Sequence, residues 1–268
     1  MSHVRRRLVI LFSLAIALAR LQDPAHAQTK PPRVIHVFVA LADNAHQGIV
    51  PVPAALGNGD DPARNLYWGA AFGVRTFFRK SSDWKEVIFS SHPSDYILER
   101  SVFQNRTSNV MLIADAYRGS EIKRALTDFL RAAAGFPQKE LEIGPIMGDR
   151  VFHAPTDADL VVYVGHDGLM DFQLTMDFAG RSGTSRSAIV LACASKSYFR
   201  DLLRASGATP LLWTTNLMAP EAYTLKAAVD GWILQESKDQ IRKRAAAAYA
   251  KYQKCSDTAA MHLFSTDW

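Results

Sequence analysis

Apolar positions in this chain fall into two kinds of segment. The first are short, nearly continuous runs: Arg33 to Ala42 (RVIHVFVALA), Trp84 to Ser90 (WKEVIFS), Asn109 to Ala116 (NVMLIADA), Leu160 to Val164, Ala188 to Ala192 and Thr209 to Thr214 (TPLLWT). Runs this short, rich in β-branched residues and bounded by Gly, Ser and Asp, predict strands buried on both faces of a parallel sheet. Ile97 to Gln104 (ILERSVFQ) predicts a further short strand or hairpin arm. The second kind repeats apolar residues at helical spacing. Asp61 and Pro62 read as N-cap and first residue of a helix reaching Arg79. Ile122, Leu126, Phe129, Leu130 and Ala133 line one face of a helix closed by Gly135. Further helices are expected over Tyr198 to Ser206 and Ala219 to Gln235, with a basic, Ala-rich one over Asp239 to Gln253 on the surface. Leu141 to His153 reads as irregular. Strands alternating with helices predict an α/β protein with a doubly wound, mostly parallel sheet and helices on both faces.

Residues 1–27 stand apart from this pattern. Arg5, Arg6 and Arg7 precede an apolar stretch from Leu8 to Ala19, and Ala25-His26-Ala27 offers a small-x-small cleavage pattern. The apolar stretch is too short to span a bilayer and is broken by Arg20, so the segment reads as a secretory signal. A single α/β domain over 28–268 is expected to remain, periplasmic or secreted, with no stable membrane anchor. Removing the signal changes the charge. It takes away Arg5, Arg6, Arg7, Arg20 and Asp23, so Lys+Arg falls from 31 to 27, Asp+Glu from 26 to 25, and the net charge from +5 to +2. No basic patch interleaved with aromatics remains, which argues against a nucleic-acid partner.

A parallel sheet gathers the carboxyl ends of its strands along one edge, where ligands bind in open α/β folds. The residues expected there are Asp43, Asn44 and His46; Asp115, as a helix-entry residue; His166 and Asp167; Cys193; and Thr214, Thr215 and Asn216. His166 and Cys193 close two successive strands, an arrangement that pairs an imidazole with a thiol. A thiolate is the attacking species in cysteine chemistry, and an adjacent imidazole takes its proton. Backbone amides after Cys193 and at Gly168 are candidate oxyanion donors. Asp43, His46, Asp167, Thr215 and Asn216 are candidate substrate contacts. Each residue also has a plainer reading. A cysteine at a strand end is often a small buried hydrophobe, Asp167 and Asp171 suit a turn or cap, and loop polarity accounts for Asp43 and His46. No clustering with metal-ligand spacing is visible. Gly57-Asn58-Gly59 lacks the full phosphate-loop pattern, so neither a metal nor another cofactor is expected. Cys193 and Cys255 are the chain's two cysteines, and a disulfide between them stays open at this stage.

An apolar strand ending in His-x-Gly, followed by one ending in Ala-Cys, resembles the caspase-like (clan CD) cysteine peptidases. LIADAYRGSEIKRALTDFL looks like the strand and helix before the histidine strand, and SGATPLLWTTNLMAPEAYTLKAAVDGWIL like the strand and helix after the cysteine. The resemblance spans Val34 to Leu234. It implies a caspase-like three-layer sandwich and a metal-free dyad acting on a peptide or protein substrate. His166 would be the base and Cys193 the nucleophile, Gly168 and the Cys193 amide the oxyanion donors, and Thr214 to Met218 a segment near the specificity pocket. Asp167 departs from the family pattern, which has His-Gly directly, and the two motifs are closely spaced. A secreted binding or structural protein of the cell envelope that has lost catalysis is therefore the alternative. A non-peptidase hydrolase using Asp43 and His46 is a third.

Overall fold

In the computed structural model, which describes residues 31–136, 142–143, 152–153, 158–175, 178–180 and 186–268, the apolar runs become the strands of one eight-stranded sheet. The strands are β1 (Arg33–Ala40), β2 (Trp84–Ser91), β3 (Ile97–Asn105), β4 (Val110–Tyr117), β7 (Ala158–Val164), β8 (Ser187–Leu191), β9 (Thr209–Thr214) and β10 (Phe264–Ser265). Their spatial order is β10-β9-β8-β7-β1-β4-β3-β2. Neighbours from β9 through β4 run parallel, whereas β3, β2 and β10 are antiparallel additions at the edges. A separate small pair, β5 (Glu142–Ile143) with β6 (Phe152–His153), lies in the segment expected to be irregular. The expected signal, 1–27, lies outside the described residues. Pro32–Trp268 is one compact unit.

Strict alternation along each buried strand divides the core in two. Ile35, Val37 and Val39 of β1 face one layer, made of α1 (Val74–Lys80), α4 (Ala222–Ile233), α5 (Lys238–Gln253) and α6 (Asp257–Leu263). Phe38 and Ala40 face the other, made of α2 (Ile122–Ala133) and α3 (Ser195–Ser206). The result is the three-layer, doubly wound α/β sandwich that the hydrophobic pattern predicts.

Several local expectations change. The helix expected from Asp61 begins only at Val74. Upstream, the buried Asn65 side chain accepts from the Ala42 amide at 3.0 Å and donates to the Ala42 carbonyl at 2.8 Å, tying the segment to the end of β1. An Asn side chain that satisfies backbone groups in this way competes with helix formation. Gly73 packs so closely on the Trp68 backbone that a Cβ there would lie 2.4 Å from it. The last basic helix is not a surface appendage: Ile241, Ala245, Ala246 and Tyr249 of α5 enter the core. The chain then continues through α6 into β10, which caps the edge of β9.

Asp115 is not a helix-entry residue. It lies within β4, fully buried, and meets Arg100 of β3 and His36 of β1 across the sheet. Arg100 donates to both carboxylate oxygens, at 2.5 and 3.0 Å, and His36 Nε2 lies 2.8 Å from Oδ2. Burial alone would raise the Asp115 carboxyl, but the Arg100 charge and the His36 hydrogen bond outweigh it and hold it below the usual range. Removing one member of a buried ion group strands the others, whereas apolar replacement of the group is often tolerated. Asp115→Ala is expected to lower the unfolding free energy by ~3–5 kcal/mol in denaturant titrations. The double change Asp115→Leu/Arg100→Met should recover much of that loss. A single-variant loss below about 1 kcal/mol would show that the network is not a stability element.

Candidate active site

The sheet register brings the two candidate catalytic residues together. Strands β7 and β8 are parallel neighbours, with Val164 paired to Leu191, and Gly165 continues the ladder by donating to the Leu191 carbonyl at 3.2 Å. His166 and Cys193 each follow two residues after that last pair. They therefore leave adjacent strands at the same edge, at a strand separation of about 5 Å. His166 is buried and Cys193 half-buried.

His166 is held by a carboxylate that sequence reading assigned to a turn. Its Nε2 lies 2.6 Å from Asp171 Oδ2. The intervening residues form a 3₁₀ turn, Gly168–Met170, which folds the chain back. Asp167 caps this turn, its Oδ1 accepting from the Leu169 amide at 3.0 Å. The Gly48 amide from the β1 loop also reaches Asp171 Oδ2, at 3.4 Å. A Cβ at Gly48 would lie 2.8 Å from the Asp171 carboxylate, so a larger residue there would push that side chain aside. No sequence signal separates Asp171 from an ordinary turn residue, because its role depends on the tightness of the turn before it.

Cys193 is tied to the loop after β9. The Met218 amide points at its sulfur from 3.4 Å, and the sulfur lies 3.6 Å from the Met218 carbonyl. Burial pushes the thiol up and the Asp167 charge adds to that, while the Met218 amide opposes both. The next residue, Ala194, has a left-handed backbone (φ 48°, ψ 28°), a conformation that costs a non-glycine residue energy and clusters at functional sites. This sharp turn carries the chain from β8 into α3. It is pinned by the Ala194 amide donating to the Asn216 carbonyl at 2.9 Å and the Ser195 amide to Thr214 Oγ1 at 3.1 Å. Among the described residues the Cys193 amide has no acceptor. The Gly168 amide, by contrast, donates to the His166 carbonyl at 3.1 Å and is turned inward.

Of the candidate substrate contacts, Asp43 and His46 form a self-contained pair, Nδ1 to Oδ2 2.8 Å, with Asp43 also capping Ala45. They stay in the β1 loop and make no hydrogen bond to His166 or Cys193. Thr215 is spent on the last turn of α6, its hydroxyl donating to the His262 carbonyl at 2.8 Å. Asn216 is exposed, and its backbone braces the Cys193 turn. Asp167 is fully buried beside the site, and its Oδ2 has no hydrogen-bond partner. Among the described residues both cysteines are free, no cluster of three or more His, Cys, Asp or Glu has metal-binding geometry, and no helix is long and apolar enough to cross a membrane. No family model, curated protein or solved structure matches this chain.

Burial pushes the Asp167 carboxyl up to about 7, with the Leu169 amide opposing and the Asp171 charge adding. The folded state thus keeps a proton that an unfolded aspartate releases near pH 4. This contribution to stability is complete below about pH 4 and is lost as pH rises through about 7. Asp167→Asn cannot ionise. Its unfolding free energy should fall less than that of the parent between pH 4 and 8, by about 4 kcal/mol. Denaturant titrations of both proteins across this range test it, since all other titrating groups are shared. Superimposable pH profiles would rule out a buried, proton-holding Asp167.

Proposed function

We propose that this chain is an exported cysteine peptidase of the caspase-like kind, cleaving peptide bonds in a peptide or protein substrate. The observation that carries the proposal is the register of β7 on β8, with His166 and Cys193 leaving neighbouring strands together. Asp171 is the third member. By holding Nε2, it leaves Nδ1 as the nitrogen to exchange a proton with the thiol. His166 takes the Cys193 proton as sulfur attacks the scissile carbonyl carbon. The oxyanion is met by the Cys193 amide, and His166 returns the proton to the departing amine. Water, deprotonated by the same imidazole, then releases the thioester-bound acyl group and restores the thiol. The basic-then-apolar segment 1–27 supports a periplasmic or secreted location.

A second reading has its own support. Burial keeps Cys193 protonated, and the Gly168 amide is unavailable as a second oxyanion donor. These features suit a secreted binding or structural protein that keeps the fold without the chemistry.

Cys255 is exposed in the same molecule and serves as an internal reference thiol. Under the peptidase reading, a peptidyl acyloxymethyl ketone should alkylate Cys193 at least ~100-fold faster than Cys255 at pH 7.5, as judged by peptide mass mapping. His166→Ala should abolish the advantage, and Asp171→Asn should reduce it by ~10–100-fold. Equal labelling of the two thiols in the native protein would favour the binding protein over the peptidase.

A further inference from the structure

The loop that holds Cys193 also forms one wall of a cavity of about 400 Å³. Thr215, Asn216 and Leu217 line it from β9's carboxyl end, Tyr249 from α5, and Ala259 and His262 from α6, with Cys255 on the connection between these helices. This cavity and the thiol share a boundary. Met218 contacts the Cys193 sulfur through its backbone, and Asn216 accepts from Ala194. The Ala219 amide donates to the Tyr249 hydroxyl at 3.2 Å. An acyl group on Cys193 would therefore lie along the rim that Asn216 and Leu217 provide. Leu217 is 65 % exposed, an apolar side chain left facing solvent at this rim.

Among the described residues neither an acid nor a Lys or Arg lines the cavity. Its walls are aliphatic and aromatic, with hydroxyl, thiol, amide and imidazole groups as the polar elements. A charged substrate side chain entering here would lose its hydration without gaining an opposite charge. The volume is at the lower end of ligand pockets, enough for one large side chain. Glu221, in the loop after β9, lies outside the lining, and its Oε2 already accepts from Tyr223 at 2.9 Å and Gln253 at 3.1 Å.

Resting on the peptidase reading above, we propose that this cavity is a specificity pocket for a large uncharged side chain beside the scissile bond, such as Leu, Met or Phe. Selection comes from apolar burial together with the absence of a counter-charge.

The test uses acyloxymethyl ketones of one peptide with Gly, Leu, Phe, Arg or Asp next to the reactive carbonyl. Labelling rates of Cys193 are measured at one pH for every probe, with glutathione in the same mixture as reference thiol. Leu and Phe probes should exceed Arg and Asp probes by ~100-fold. Ala259 sits exposed in the cavity wall, so a larger residue there enters the cavity rather than the core. Ala259→Trp should lower the Phe-to-Gly rate ratio ~10-fold or more. Ala259→Glu should raise the Arg-to-Leu ratio by a similar factor. Ratios within one preparation are insensitive to partial unfolding, and if Ala259→Trp is insoluble, Ala259→Glu decides. Faster Arg labelling in the parent protein would overturn the proposal and point to Glu221. Ratios unmoved by either Ala259 variant would also overturn it while leaving the peptidase reading standing. A Cys193 that no probe labels faster than glutathione removes both.

Discussion

The peptide groups of β1, β4 and β7 have nowhere to bond except to the strands on either side of them. Both faces of these strands are buried under helices, so no water reaches the backbone, and each unpaired group would cost about 1–3 kcal/mol. That constraint fixes register, since slipping by one residue would exchange the Phe38 face for the Val37 face and put every side chain in the wrong layer. With register fixed from β4 through β8, the positions at which the strands end are fixed as well. The juxtaposition of His166 and Cys193 is thus a consequence of backbone satisfaction deep in the sheet rather than of any contact between the two side chains.

The same constraint explains what the sequence makes legible. Strands buried on both faces are nearly continuously apolar, so β1, β4, β7, β8 and β9 stand out as apolar runs even where His36 and Asp115 interrupt them, and their order of chemistry at the ends follows. Elements whose formation depends on a partner elsewhere do not stand out. Asn65 reads as one residue of an amphipathic helix, yet its side chain is claimed by the backbone of Ala42, which lies far from it in sequence. The two-residue β10 exists because β9 offers an open edge. Its sequence, Phe264-Ser265, carries no strand signal of its own. Asp115 looks like a polar strand end until Arg100 and His36, from two other strands, arrive around it. Asp171 is hidden in the same way, its function set by a turn that brings it back onto His166.

Two buried aspartates show how surroundings rather than burial decide a carboxyl's state. Asp115 is surrounded by a guanidinium and an imidazole and remains ionised at the centre of the sheet. Asp167, equally inaccessible, has one backbone amide and the unfavourable field of Asp171, and it retains its proton up to about 7. The first is consistent with a structural tie between three strands. The second sits where a change of charge is felt by the Cys193 thiol.

Asp167 also stands between His166 and Gly168, and its side chain shapes the turn that follows. Capping the Leu169 amide makes the 3₁₀ turn tight enough for Asp171 to reach His166. The same bend turns the Gly168 amide onto the His166 carbonyl. Under the peptidase proposal Asp167 would have two opposed effects: its cap brings Asp171 onto the imidazole, and the bonded Gly168 amide is not free to meet an oxyanion. If the peptidase proposal holds, loss of a single oxyanion donor would cost on the order of 10²–10³ in rate, and a carboxylate that orients a catalytic histidine would contribute up to about 10⁴. The Cys193 amide, at the left-handed Ala194 turn, would then be the remaining oxyanion donor. The left-handed turn at Ala194 carries the chain from β8 into α3 directly beside the Cys193 N–H, which has no acceptor among the described residues.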